Sequence, residues 1–102
     1  LGGPGEDALF GRFGADVLRG GPGNDELEGG RGRDRLYGDD GNDILGGGYD
    51  DDVLFGGAGD DDIRVVGGGA DQVFCGAGYD RVVKDRRDTV HDCEVVNGRR
   101  AA

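Results

Sequence analysis

The chain contains no methionine and no tryptophan, one histidine and two prolines in 102 residues. A lone His91 has no second histidine for a histidine-based metal site, and no triad assembles around it. Hydrophobic residues make up 34% and aromatics 7%, too few for an ordinary globular core. No apolar run approaches the length of a membrane-spanning helix, so no membrane insertion is expected. Basic residues number 12 against 22 acidic ones, for a net charge of −10. That balance argues against nucleic acid and against an anionic membrane surface as partners, because both are gripped by Lys and Arg. Neither G-x-x-x-x-G-K nor G-x-G-x-x-G occurs, so a phosphate cradle is missing. No Glu closes a twelve-residue EF-hand loop. Leu1 opens the sequence without a Met or a leader, as expected of a mature or excised piece of a longer product.

Glycine and aspartate fill the space. There are 25 Gly, and Asp dominates the acidic residues. So much glycine argues against helix. Composition alone leaves two readings open: a disordered acidic tail, or a set of cation ligands.

Periodicity decides between them. From Gly2 the chain repeats in steps of nine: GGPGEDALF, GRFGADVLR, GGPGNDELE, GGRGRDRLY, GDDGNDILG, GGYDDDVLF and GGAGDDDIR. Val65 is one residue extra, and the phase resumes with VGGGADQVF and CGAGYDRVV. The sixth position is always Asp: Asp7, Asp16, Asp25, Asp34, Asp43, Asp52, Asp61, Asp71 and Asp80. The eighth is always aliphatic: Leu9, Leu18, Leu27, Leu36, Leu45, Leu54, Ile63, Val73 and Val82. A disordered tail does not hold phase over nine repeats.

The pattern G-G-x-G-x-D-x-U-x, with U aliphatic, resembles the haemolysin-type or RTX (repeats-in-toxin) calcium-binding nonapeptide over residues 2–83. The resemblance implies an all-β fold: a right-handed parallel β-roll, or β-solenoid, with two nonapeptides per coil. Residues 1–83 would form the roll and residues 84–102 a C-terminal cap with a loose tail.

The chemistry of the repeat agrees. Glycine lets the turn adopt positive φ and removes side chains, so that backbone carbonyls can converge on a cation. The turn glycines expected to supply those carbonyls are Gly3, Gly5, Gly14, Gly21, Gly23, Gly30, Gly32, Gly41, Gly48, Gly57, Gly59, Gly67, Gly69, Gly76 and Gly78. The x-U-x tripeptide then extends as a strand with U pointing inward. At two repeats per coil, Asp7, Asp25, Asp43, Asp61 and Asp80 stack on one edge, and Asp16, Asp34, Asp52 and Asp71 on the other. Carboxylates stacked at about 4.8 Å repel unless a cation separates them. Oxygen-only ligands select Ca²⁺ over Mg²⁺ and Zn²⁺. One ion per stacked pair gives about seven ions, enough to cancel the net charge. With so thin a core, folding should require the metal.

Departures mark weak places. Asp50 replaces a fourth-position Gly, where the turn is either distorted or gains a ligand; Arg12 and Asp39 replace second-position glycines. Val65 predicts a bulge near residues 63–66, straddled by the pairs Asp52–Asp71 and Asp61–Asp80. Phe10, Tyr37, Phe55 and Phe74 share the ninth position, as exterior packing aromatics. Cys75 and Cys93 lie one coil apart, which favours a disulfide over two free thiols. The resulting expectation is a monomeric, secreted, non-enzymatic calcium module of a larger protein. Its rival is an extracellular module that binds carbohydrate or a cell surface through a flat sheet.

Overall fold

A computed structural model of the chain describes residues 5–65, 69–78, 80–84, 89–91, 93, 95–96 and 99–100. Gly3 and Gly67, together with residues 85–88 of the cap, lie outside them. Every element among the described residues is a strand. They are β1 Ala8–Phe10, β2 Val17–Arg19, β3 Glu26–Glu28, β4 Arg35–Tyr37, β5 Ile44–Gly46 and β6 Val53–Phe55. β7 Asp62–Val65, β8 Gln72–Phe74, β9 Arg81–Lys84, β10 Thr89–His91, β11 Val95–Val96 and β12 Arg99–Arg100 follow.

Alternate strands go to opposite sheets. One sheet has the order β1-β3-β5-β7-β9-β11-β12 and the other β10-β8-β6-β4-β2. All pairings are parallel except β11 with β12, which turns back antiparallel at the cap end. This is the parallel β-roll, with two nonapeptides per coil.

Each nonapeptide makes a turn and a three-residue strand because its glycines and its x-U-x segment have opposite needs. The turn requires positive φ, and Gly23 (φ 108°) and Gly41 (φ 110°) show why glycine is used. A Cβ at Gly41 would run into the carbonyl oxygen of Gly23 in the preceding coil, so successive turns stack backbone on backbone. Arg12, Asp39 and Asp50 hold φ of 72°, 66° and 70° at glycine positions, so the turns keep their shape there. Asp39 and Asp50 also accept backbone N–H bonds from Gly21 (3.1 Å) and Gly32 (2.8 Å) one coil earlier. The Asp50 turn is therefore not distorted.

The U residues register on one another along each sheet: Leu9, Leu27, Leu45, Ile63 and Val82 on one, Leu18, Leu36, Leu54, Val73 and Val90 on the other. From Leu27 to Val82 all are buried, whereas Leu9, Leu18 and Val90 at the ends are partly so. The core is thus two files of aliphatics, one from each sheet.

Val65 corrects an expectation. No bulge interrupts β7: the strand gains a fourth residue, and Val65 pairs with Lys84 and is buried. Lengthening the strand absorbs the insertion because β9 is also four residues long and offers a partner. The four ninth-position aromatics do not share a face either. Phe10 stands alone on the seven-stranded sheet, since its repeat is odd-numbered. Tyr37, Phe55 and Phe74 stack on the other sheet, with centroids 4.8 and 5.0 Å apart and planes within 10°. Arg19 covers the free face of Tyr37 at 4.4 Å, so this ladder turns ring edges outward. At the cap end, Cys75 and Cys93 form a disulfide with Cα atoms 5.2 Å apart.

Candidate metal centre

The sixth-position Asp closes each turn, just before its strand. That placement sends the carboxylates back into the roll edge, where Asp25, Asp34, Asp43, Asp52, Asp61, Asp71 and Asp80 are all buried. Seven pairs form in the expected order. Oδ1 of Asp25, Asp43 and Asp61 accepts the backbone N–H of Asp7, Asp25 and Asp43 at 2.8 Å. On the other edge, Asp34 and Asp52 accept from Asp16 and Asp34 at 2.8 Å. The two pairs that straddle Val65 keep the same bond despite a nineteen-residue step: Asp52 to Asp71 at 2.7 Å and Asp61 to Asp80 at 2.8 Å.

In Asp25, Asp34, Asp43, Asp52 and Asp61 one oxygen is thereby used and the other is not. Oδ2 of Asp7, Asp16, Asp25, Asp34, Asp43, Asp52 and Asp61 is buried without a hydrogen-bond partner. Burying a charged oxygen without a partner costs several kcal/mol. Loss of water accordingly raises the carboxyls of Asp25 and Asp34, and pushes Asp43 to about 6 and Asp52 to about 8. Asp61 shifts the same way, first through burial and then through the charges of Asp80 and Asp43.

A second oxygen faces four of these orphans, on Asp16, Asp34, Asp43 and Asp61. At Gly29, the vacant Cβ position lies 2.6 Å from Oδ2 of Asp34 and 2.7 Å from the carbonyl oxygen of Gly47. Gly11 holds Asp16 and Gly29 in the same way, at 2.8 and 2.7 Å. Gly38 holds Asp43 and Gly56, both at 2.7 Å, and Gly56 holds Asp61 and Cys75, at 2.6 and 2.7 Å. These cradles exist because the first position lacks a side chain. Among the described residues, no three His, Cys, Asp or Glu side chains gather around one point. A cation here must therefore draw on backbone oxygens, the hard-ligand set that suits Ca²⁺. The Asp Oδ2 atoms and first-position carbonyls that meet at these cradles would hold the ion. The residues present fit calcium.

The family model of the RTX calcium-binding nonapeptide repeat, four copies long, matches residues 1–36, 19–48 and 37–64. The chain belongs to the RTX calcium-binding repeat family. No curated protein matches it. The RTX match stops one residue short of Val65, where the nine-residue phase breaks, yet the Asp ladder continues beyond it. This RTX chain is a calcium-binding repeat module.

The second- and fourth-position glycines named from the sequence stack closely on the coil before. Gly23, Gly32, Gly59 and Gly78 abut the carbonyl groups of Gly5, Gly14, Gly41 and Gly59 one coil earlier. Gly48, Gly57, Gly69 and Gly76 likewise sit on Gly30, Asp39, Asp50 and Gly57, and Gly30 sits on Arg12. Sequence reasoning missed the first-position carbonyls of Gly29, Gly47, Gly56 and Cys75. The recurrence of Gly at that position, which clears the cradle, was the available signal.

Proposed function

We propose that this chain is a non-catalytic part of a larger secreted protein, folded by calcium once outside the cell. The row of buried, unpartnered Oδ2 atoms carries the reading. A cytosol poor in calcium would leave the carboxylates opposed and the chain open for export; extracellular calcium would fill the cradles and close the coils. The nine Asp and the turn carbonyls are the ligands of about seven ions, one per stacked pair. The carbohydrate-binding alternative draws little support from the aromatic ladder. Sugars stack on ring faces, and in this ladder both faces of Tyr37 and of Phe55 are taken, by neighbouring rings and by Arg19.

Equilibrium dialysis with calcium and a titration followed by circular dichroism test the proposal. It expects about seven ions and a folding midpoint between roughly 0.1 and 1 mM, the weak range of extracellular modules. A midpoint below about 1 µM would mean that cytosolic calcium could fold the chain, and would refute the export reading.

A further inference from the structure

Four first-position residues lend a carbonyl to the cradle one coil earlier. Gly29, Gly47 and Gly56 do so without side chains, but the fourth is Cys75. Its carbonyl oxygen stands at the Gly56 cradle 2.7 Å from the vacant Cβ position, beside Oδ2 of Asp61 at 2.6 Å. The geometry matches the glycine-built cradles, although a side chain now grows from that backbone. That side chain is bonded to Cys93 in the next coil, and both cysteines are buried. The peptide presenting an oxygen to Asp61 is therefore held from the far side by a covalent bond.

We infer that the Cys75–Cys93 disulfide is a positioning element of the metal site at Asp61, so that calcium occupancy there and the redox state of the cysteines are linked. The inference rests on the calcium reading above. Breaking the bond frees the Cys75 peptide to rotate, and the Asp61 site loses its fixed carbonyl. Linkage is reciprocal: if the disulfide tightens calcium binding, calcium protects the disulfide by the same factor. The reaction is two-electron thiol–disulfide exchange. A dithiol reductant breaks the S–S bond, supplies two electrons and two protons to give two thiols, and is itself oxidised to a cyclic disulfide. A reducing compartment would loosen the cap end of the roll first, leaving the earlier coils their metal.

The test measures dithiothreitol reduction by alkylation and mass spectrometry at saturating calcium. It compares the intact chain with Asp61→Asn and Asp16→Asn. Asparagine keeps an acceptor oxygen for the ladder bond and removes the charge. Asp61→Asn should expose the disulfide to reduction about tenfold faster than in the intact chain, the scale of lost metal-site support. Asp16→Asn, at the opposite end of the roll, should leave the rate within about twofold. In the reverse direction, the reduced and alkylated chain should bind one ion fewer by dialysis. Equal reduction rates in the two variants, or equal ion counts before and after reduction, would overturn the linkage. An oxidised chain that binds no calcium at all would instead overturn the calcium reading on which it rests.

Discussion

Asp25, Asp34, Asp43, Asp52 and Asp61 each divide the work of the carboxylate between two oxygens. Oδ1 accepts an N–H from the preceding coil and fixes register, while Oδ2 stays buried for a cation. A proton can occupy the same place. In the metal-free fold Asp43 titrates near 6 and Asp52 near 8, far above their unfolded values near 4. A raised carboxyl pKa means that the fold binds protons more tightly than the unfolded chain. The metal-free fold should therefore gain stability as pH falls from about 8 toward 4, and lose it as pH rises through the same window. The unfolded chain and the calcium-loaded fold both carry ionised carboxylates between pH 8 and pH 5.5, so the calcium folding midpoint should stay nearly level over that window and rise only as pH falls toward the unfolded values near 4, readable by circular dichroism titrations at each pH. Glycine gives a second test at this scale. Gly14 faces open space at φ 88°, whereas a Cβ at Gly41 meets the Gly23 carbonyl. Gly14→Ala should cost about 1 kcal/mol of backbone strain, and Gly41→Ala about 2 kcal/mol or more, in thermal unfolding with calcium present.

At the scale of elements, a strand of three residues has little stability alone and is held by its neighbours in the stack. An interior repeat should matter more than a terminal one. Asp43 bonds the N–H of Asp25, and its own N–H is bonded by Asp61, so it joins two inter-coil links. Asp7 takes part in the Asp25 link alone among the described pairs. Asp43→Ala should lose about two ions and divide the roll, and Asp7→Ala about one ion with fraying of the first coil. Calorimetric stoichiometry checks this, and equal losses would mean that ions are not shared between coils. Much of this layer was legible in the sequence, because the repeat writes its contacts into residue identity. A step of nine placed Leu27 to Val82 inward, paired the Asp residues and set Cys75 over Cys93. What escaped has no residue signature. The cradle carbonyls are backbone atoms, so Cys75 serves where Gly29 does. Val65 read as a fault in the phase, yet the sheet absorbed it because β9 could pair one residue further. The segregation of Phe10 from Tyr37, Phe55 and Phe74 follows from counting odd and even repeats, and grouping them by position alone hid it.

For the whole molecule, the two ends of the roll differ. At the first coil Leu9 and Leu18 are only partly covered, and Phe10, Phe13 and Val17 are among its most exposed apolar residues. At the last, a disulfide and an antiparallel strand join the cap to the sheets. Between them lies a core of two aliphatic files, one from each sheet, flanked on both edges by buried carboxylates. Hydrophobic burial on that scale is thin beside two rows of desolvated carboxylates, and the proposed function accordingly expects the fold and its metal to form together. The most direct measurement is far-ultraviolet circular dichroism of the oxidised chain at pH 8. In chelator the spectrum should be that of a disordered chain. Millimolar Ca²⁺ should convert it to β-structure, and the same concentration of Mg²⁺ should not. A β spectrum that persists unchanged in chelator would contradict the account.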